Sequence, residues 1–356
     1  MQNADYRTNK GRMCRIGALC WFLLILAGCG GSRPAATPAP GSSAATIGTT
    51  AGGATFRGEE LAGRLLFVHG GVIWQWRGRE ATQLLGDGTA IQPTFSSDGS
   101  RIAYVTKGND YSDVLIADAA GAPLAQLTRN GSRLPINSQE RVYETTWAFY
   151  PAWAPAGDRL ALAAQPSPPV GDPPAEYNLG LYELLVSGEA PRQIYAAEGA
   201  HCGRSVYAPS GEALLFVHAG AGASGEQQIY RLELAGGIAA PVSGMPKPSY
   251  DPAISPDGRW LAFVTRDGTR TDIFALPLAG GGTPLRLSDM GTARAPAFSP
   301  DGRQIAFLAI APGEGGFDLW VADLTADAGG GLRANAPRRL TTGLGLDADS
   351  GLSWAG

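Results

Sequence analysis

The sequence predicts an all-β fold, a six-bladed β-propeller of four-stranded antiparallel blades, and three observations lead there. A twelve-residue unit recurs, the recurrences are spaced as blades are, and the two ends of the chain carry complementary halves of one unit. The unit is clearest from Pro296 to Phe307, Pro-Ala-Phe-Ser-Pro-Asp-Gly-Arg-Gln-Ile-Ala-Phe, with a close copy from Pro252 to Phe263. Looser copies run from Pro93 to Tyr104, Pro151 to Leu162 and Ser205 to Phe216.

Each copy reads as strand, turn, strand. An anchor (Phe95, Trp153, Tyr207, Ile254 or Phe298) ends the first strand, and the following turn is built by its Gly, which accepts φ > 0, with Pro fixing φ in most copies. A run such as Ile-Ala-Tyr-Val forms the second strand; it is apolar at every position and so predicts a sheet covered on both faces. The third strand carries an aromatic at Ile73-Trp74, Leu181-Tyr182, Ile229-Tyr230, Ile273-Phe274 and Leu319-Trp320, with Val114-Leu115 the exception. A Gly-containing turn leads to a fourth strand ending in Gln126-Leu127-Thr128, Arg286-Leu287-Ser288 or Arg339-Leu340-Thr341. Four strands per unit make a propeller blade. The turn glycines Gly99, Gly157, Gly211, Gly258 and Gly302 are 58, 54, 47 and 44 residues apart, in keeping with a blade period of ~40 to 50 residues plus loop insertions. Gly63 to Val68 looks like the second half of the unit and Leu352 to Ala355 like the first. The C-terminal strand is therefore expected to pair with the N-terminal strands and close a sixth blade, leaving no open edge.

The repeats resemble the WD-like repeats of the Tol-type six-bladed propellers, the family of the periplasmic protein TolB, in the Ser-Pro-Asp-Gly turn, the Ile-Ala-Phe run, and Asp272-Ile273-Phe274 and Asp318-Leu319-Trp320. The resemblance covers roughly residues 61 to 356. It implies a propeller with a protein partner in the cell envelope. TolB-like proteins also carry an α/β domain ahead of the propeller, and here a tether and lipid anchor are expected in its place.

Residues 1–28 read as a lipoprotein signal peptide: Arg7, Lys10, Arg12 and Arg15 precede an uncharged, mostly apolar stretch from Ile16 to Gly28, shorter than the ~20 residues a membrane span needs. Leu26-Ala27-Gly28-Cys29 resembles a bacterial lipobox, which makes Cys29 the expected lipidation site. Gly30 follows it, so the Asp that retains Gram-negative lipoproteins at the inner membrane is absent. Residues 29–60 are dominated by Gly, Ser, Ala, Thr and Pro and read as a flexible linker; the propeller is expected over 61–356.

The precursor carries 28 basic and 32 acidic residues, and cleavage before Cys29 leaves 24 against 31, a net of −7. Scattered charge of that sign gives no support to nucleic-acid binding, which wants a basic stripe, and argues against polybasic docking on anionic lipid. Of four cysteines, Cys14 and Cys20 leave with the signal and Cys29 is acylated, so Cys202 stands alone and no internal disulfide is expected. The three histidines give no metal pattern. His69 and His218 each follow Leu-Phe-Val at equivalent strand ends, and His201-Cys202, adjacent on a strand, point to opposite faces. No His-x-His, Cys-x-x-Cys, Gly-x-Ser-x-Gly or Walker-type loop occurs, and Asp98, Asp257 and Asp301 belong to the repeated turns. No catalytic residue, metal or cofactor is expected.

The Pro-Asp-Gly side is uniform in length, whereas the opposite side varies at 137–150, 165–178, 220–227 and 311–316. Recognition usually rides on variable loops over a rigid scaffold. At that channel mouth the segments before strand one supply the candidate ligand-binding residues: Arg141, Tyr143, Glu144, Trp147 and Tyr150, then Arg204, Lys247, Tyr250, Asp251, Arg294, Asp347 and Asp349. Aromatics among mixed charge suit a protein segment, peptide or glycan. The sequence thus reads as a membrane-anchored extracytoplasmic scaffold, expected as a monomer, without catalysis. The competing reading is a metal-assisted hydrolase, lactonase or lyase, which requires three or more of Glu144, Asp251, Asp347, Asp349 and His201 to converge on one point. A peptidase-gating propeller would need its catalytic domain on a separate chain.

Overall fold

Where the apolar runs meet Gly-containing turns, the chain folds into antiparallel hairpins. The computed structural model describes residues 46–50, 53–175, 177–220, 226–279, 282–326 and 330–356. The expected signal peptide, Cys29 and the first part of the linker lie outside them. The strands begin with β1 (Thr46–Thr50), β2 (Gly53–His69) and β3 (Val72–Leu85). The first full blade follows, β4 (Ala90–Phe95), β5 (Arg101–Lys107), β6 (Ser112–Asp118) and β7 (Pro123–Gln126), then β8 (Ala148–Trp153), β9 (Arg159–Ala164), β10 (Gly180–Leu185) and β11 (Arg192–Tyr195). The next two are β12 (Ala200–Tyr207), β13 (Ala213–Gly220), β14 (Gln227–Glu233) and β15 (Ile238–Pro241), and β16 (Ser249–Ile254), β17 (Trp260–Asp267), β18 (Arg270–Pro277) and β19 (Leu285–Arg286). The last full blade is β20 (Arg294–Phe298), β21 (Gln304–Ala309), β22 (Asp318–Ala326), β23 (Leu332–Ala334) and β24 (Arg338–Arg339), and β25 (Ser353–Ala355) ends the chain. Hydrogen bonding sorts the described strands into six antiparallel sheets. Among the described residues the one helical element is a 3-10 turn, Gln139–Tyr143, and no helix there is long and apolar enough to cross a membrane.

Two side-chain devices account for the repeated motif. In the turns, Ser255 Oγ donates to Asp257 Oδ1 at 2.6 Å and that oxygen accepts Arg259 N–H at 3.0 Å; Ser96–Asp98 and Ser299–Asp301 repeat the arrangement. Gly99, Gly157, Gly211, Gly258 and Gly302 take φ of 66–75°, which only glycine adopts freely. The aspartates of the motif are thus turn-formers. In the third strands, buried Asp113, Asp272 and Asp318 gather the end of strand four. Asp318 accepts from Thr341 Oγ1 (2.9 Å), Gly343 N (2.9 Å), Leu344 N (3.2 Å) and Arg339 Nη2 (2.6 Å), and Asp272 does the same with Ser288, Met290, Gly291 and Arg286. This pairing of Asp with a distant Arg-Leu-Ser/Thr locks the outer strand without extending its ladder.

The core lies between neighbouring blades. Val264 and Ile273 of one pack with Phe298, Ile305 and Phe307 of the next. Fully buried side chains of this kind each contribute ~1.5–3 kcal/mol, which explains why the central runs of the second strands (102–105, 160–164, 213–217, 261–264 and 305–309) are apolar at every position. Closure follows the expected route: β25 pairs antiparallel with β2, Leu65 opposite Trp354. Trp354 Nε1 donates to Ala62 O at 2.8 Å, Ser353 Oγ accepts Phe95 N–H at 2.9 Å, and Arg64 Nη2 reaches Gly356 O at 2.8 Å. Clusters join this blade to the last full blade on one side (Leu65, Phe67, Trp74 with Leu308, Leu319) and to the first on the other (Leu66, Val68 with Phe95, Ile102).

Two expectations are corrected. Strand begins within the stretch assigned to the 29–60 linker: β1 and the front of β2 pair with each other, and Phe56, at 4% exposure, packs on Trp74 at 4.6 Å. The β-branched residues Thr46, Ile47, Thr49, Thr50 and Thr55 favour that conformation. Second, the Gly-containing turn expected after each third strand does not follow Ile73-Trp74 directly in the closing blade: β3 runs on through Gly78, pairing Gly78 with Leu61 and Ala81 with Phe56. Gly78, at φ 60°, is absorbed as an irregularity in a long hairpin because β2 supplies a partner beyond it.

Candidate functional site

The innermost strand of every full blade carries a register shift: Ile91/Thr94, Phe149/Ala152, Cys202/Ser205, Tyr250/Ala253 and Arg294/Ala297. Such bulges re-aim a side chain. The residue just before the unit's first position is the one displaced, giving one residue per blade: Gln92, Tyr150, Arg204, Asp251, Ala295 and, in the closing blade, Gly351. Gln92, Tyr150, Asp251 and Ala295 sit at φ of 52–55°, a conformation that costs a non-glycine residue ~1–3 kcal/mol. The following proline already bars the ordinary helical region. Together these six residues border the channel.

On that ring a charged layer is assembled. Arg294 donates from Nε to Asp251 Oδ2 (2.8 Å) and from Nη2 to Asp349 Oδ1 (3.0 Å), and its guanidinium lies 5.0 Å from the Tyr250 ring. Ala295 N–H also donates to Asp251 at 3.1 Å. Arg204 lies 3.7 Å from Asp251 Oδ1, donates to Asp349 O at 2.6 Å and covers the Tyr150 ring at 5.1 Å. A Cβ at Gly351 would stand 2.4 Å from Arg204 Nη1, so glycine there makes room for the guanidinium. Burial works against the charged form of Arg294, but the neighbouring Asp251 outweighs it and holds the pKa above the ordinary arginine value. Burial raises the Tyr150 and Tyr250 phenols, so both remain protonated donors.

Six of the twelve expected residues thus meet: Tyr150, Arg204, Tyr250, Asp251, Arg294 and Asp349. A cavity of about 490 Å³ lies beside the layer they form, lined by Gln92, Tyr150, Arg204, Ser205 and Asp251 and reaching Pro155, Pro209 and Pro256 of the hairpin turns. Tyr250, Arg294 and Asp349 do not line it. Tyr150, Arg204 and Asp251 of this layer thus border the central cavity, which extends from them to the hairpin turns.

The other six expected residues lie elsewhere. Arg141 is a buried clamp, bonded to Asp110 at 2.7 and 3.1 Å and to Leu134 O at 2.6 Å. Glu144 accepts from Ser132, Tyr143 donates to Gly171 O at 2.9 Å, and Asp347 shapes its own turn by accepting from Asp349 N and Ser350. Lys247 faces Glu226 at 3.9 Å. Trp147 stacks on Phe149 at 5.6 Å and borders a second, off-axis pocket.

The convergence that a metal-assisted enzyme requires does not form: Asp251 and Asp349 meet across Arg294, Glu144 is bonded to Ser132, and His201 belongs to the off-axis pocket. The described residues include no group of three or more His, Cys, Asp or Glu placed to hold a metal. His201 and Cys202 do diverge, the first exposed and the second buried, and burial pushes the Cys202 thiol up to about 12. Sequence reasoning missed Gln92 and Ser205, although Gln92 holds the same place before Pro93 that Tyr150 holds before Pro151. It also missed Lys107, Phe149, Tyr177 and His201 as one pocket, because no motif links them.

Comparison with known proteins bears on this geometry. The family model described as PD40, TolB beta propeller domain, matches residues 89–315. No curated protein matches the sequence. Among solved structures, TolB from Acinetobacter baumannii aligns with a TM-score of 0.61 at 16% identity, covering 87% of this chain and 82% of that one. A putative TolB from Agrobacterium tumefaciens aligns at 0.53 and 15% identity, covering 79% and 90%. A chain of a nidogen/laminin complex aligns at 0.57 and 12% identity, covering 82% and 98%. At these identities the likeness is one of fold.

Proposed function

Because the chain belongs to the TolB β-propeller family, we propose that it is a cell-envelope binding scaffold that holds a protein segment against the variable-loop face of the ring without catalysing a reaction. One observation carries this reading: residues from the starts of several different blades converge there on a single arginine–aspartate layer flanked by Tyr150 and Tyr250. Such a layer offers fixed donors, an exposed Asp349 carboxylate and half-buried aromatic rings, the composition of a recognition surface rather than of acid–base machinery. A structural neighbour solved within a nidogen/laminin complex accords with a propeller used in this way. Attachment through a lipid on Cys29, with the following residues as spacer, would hold the ring close to a membrane surface.

The test is a cross-linked pull-down of the full-length chain from its own envelope, beside a Tyr143→Ala/Tyr250→Ala variant. Loss of a discrete partner in the variant is expected. An unchanged set of captured proteins would overturn the choice of face.

A further inference from the structure

Beside the charged layer the structure holds a second pocket, of about 270 Å³, bordered by Lys107, Trp147, Phe149, Tyr177 and His201 with Gln165 at its base. Its walls are tied together. Gln165 Oε1 accepts Trp147 N–H at 3.1 Å and its Nε2 lies 3.5 Å from Tyr177 O, so one buried amide fixes the segment leading into β8, which carries the indole, to the loop that carries the phenol. Trp147 and Phe149 are stacked within 13° of parallel and form one continuous apolar wall. Phe149 continues to Tyr150 at 6.1 Å, and Tyr150 to Arg204, so the wall runs on into the charged layer.

The polar groups at this pocket are donors. Lys107 is exposed, and its ammonium has no hydrogen-bond or ion-pair partner among the described residues. His201 accepts Leu179 N–H on Nδ1 at 3.2 Å, which leaves the proton of the neutral ring on Nε2 as a donor. No acidic side chain among the described residues lines the pocket. An apolar wall with unpaired donors of positive or neutral character suits a ring that carries a carboxylate. The pocket's surroundings select between sources of such a group. Of the large apolar side chains exposed on the described surface, Tyr143, Val170 and Tyr177 belong to the two loops that meet here, where Tyr143 Oη bonds Gly171 O. A free aromatic acid would leave that surface uncovered, whereas a polypeptide would cover it.

We propose that this pocket receives the C-terminal aromatic residue of a partner chain, with the ring on the Trp147–Phe149 wall and the terminal carboxylate on Lys107 and His201. The inference rests on the reading of this face as a partner surface and adds the chemistry of what it captures.

The test uses three probes titrated calorimetrically into the full-length chain in detergent: a hexapeptide ending in Phe with a free carboxylate, the same peptide as its C-terminal amide, and phenylacetate. The acid peptide is expected to bind roughly tenfold tighter than the amide, the effect of one charge-assisted contact. Lys107→Met should abolish that difference and leave the amide unchanged; Trp147→Ala should weaken both. Equal binding of acid and amide, persistence of the difference in Lys107→Met, or no binding by any probe would overturn the proposal. Phenylacetate binding as tightly as the acid peptide would overturn the chain-end assignment and make the occupant a free acid. Partner capture abolished by Tyr143→Ala/Tyr250→Ala while the peptides fail to bind would sink the pocket and leave the face standing; Lys107-dependent peptide binding with no partner captured would do the reverse.

Discussion

Replacing Arg294 with alanine strands a carboxylate. Asp251 is 6% exposed and loses its 2.8 Å charge-assisted bond, keeping only Ala295 N–H at 3.1 Å and Arg204 at 3.7 Å. A hydrogen bond to a charged group contributes ~1.5–3 kcal/mol, and the contact of the guanidinium with Tyr250 adds ~0.5–2 kcal/mol. The pair with Asp349 adds little, because that side chain is 79% exposed and such pairs contribute ~0–1 kcal/mol. The expected loss is therefore about 3 kcal/mol, read from urea denaturation. Removing Asp251 as well takes away the stranded carboxylate, although Arg204 then loses its ion-pair partner and keeps only its bonds to the 349–350 backbone; the double variant Asp251→Ala/Arg294→Ala should still lose less than the sum of the single losses, with a coupling of ~1.5 kcal/mol or more. A loss below ~0.5 kcal/mol for Arg294→Ala, or strict additivity in the cycle, would refute the reasoning that this layer is a desolvated network.

Other outcomes follow from the same contacts. Asp318→Ala should cost ~3–5 kcal/mol in the same assay, because it deprives Thr341, Leu344 and Arg339 of a fully buried acceptor; Asp98→Ala, in an exposed turn, should cost far less. The Ser96 hydroxyl and the Ser100 N–H and hydroxyl lower the Asp98 pKa from 3.8 to about 2. A depressed carboxylate contributes stability above its unfolded value and loses it as pH falls through the folded value. Asp98→Asn should therefore lose less stability than the wild type between pH 4 and pH 2, seen as a shallower fall of the urea midpoint. Cys202, buried with its thiol pushed up to about 12, should resist iodoacetamide in the native protein at pH 8 and react once unfolded, as read by peptide mass mapping.

The architecture was legible because the unit repeats. Five copies of one strand–turn–strand pattern fix the blades, and the two half-units at the ends fix their number; the pairing of Leu65 with Trp354 is what those halves imply. What escaped were features set by a partner strand or by packing across blades. Nothing local to Gly78 says that β2 extends far enough to pair beyond it, and a Thr-rich run such as 46–50 reads as spacer until a neighbouring strand is present. The site was half legible for the same reason. Tyr150, Asp251 and Arg204 share one repeat position and so were bound to meet on the axis, whereas Arg141 turns inward to Asp110 and Lys247 outward to Glu226, which depends on loop paths that no periodicity constrains. The off-axis pocket draws Lys107, Trp147, Tyr177 and His201 from three blades and a long loop, a juxtaposition created by the ring itself.

The most direct test of a partner-binding face is site-specific photo-cross-linking in the native envelope, with the photoreactive residue at Asp349 on the variable-loop face or at exposed Asp257 on the turn face. A discrete protein adduct from position 349 and none from position 257 is the expected result. Adducts from position 257 alone, or the same diffuse set from both, would contradict it.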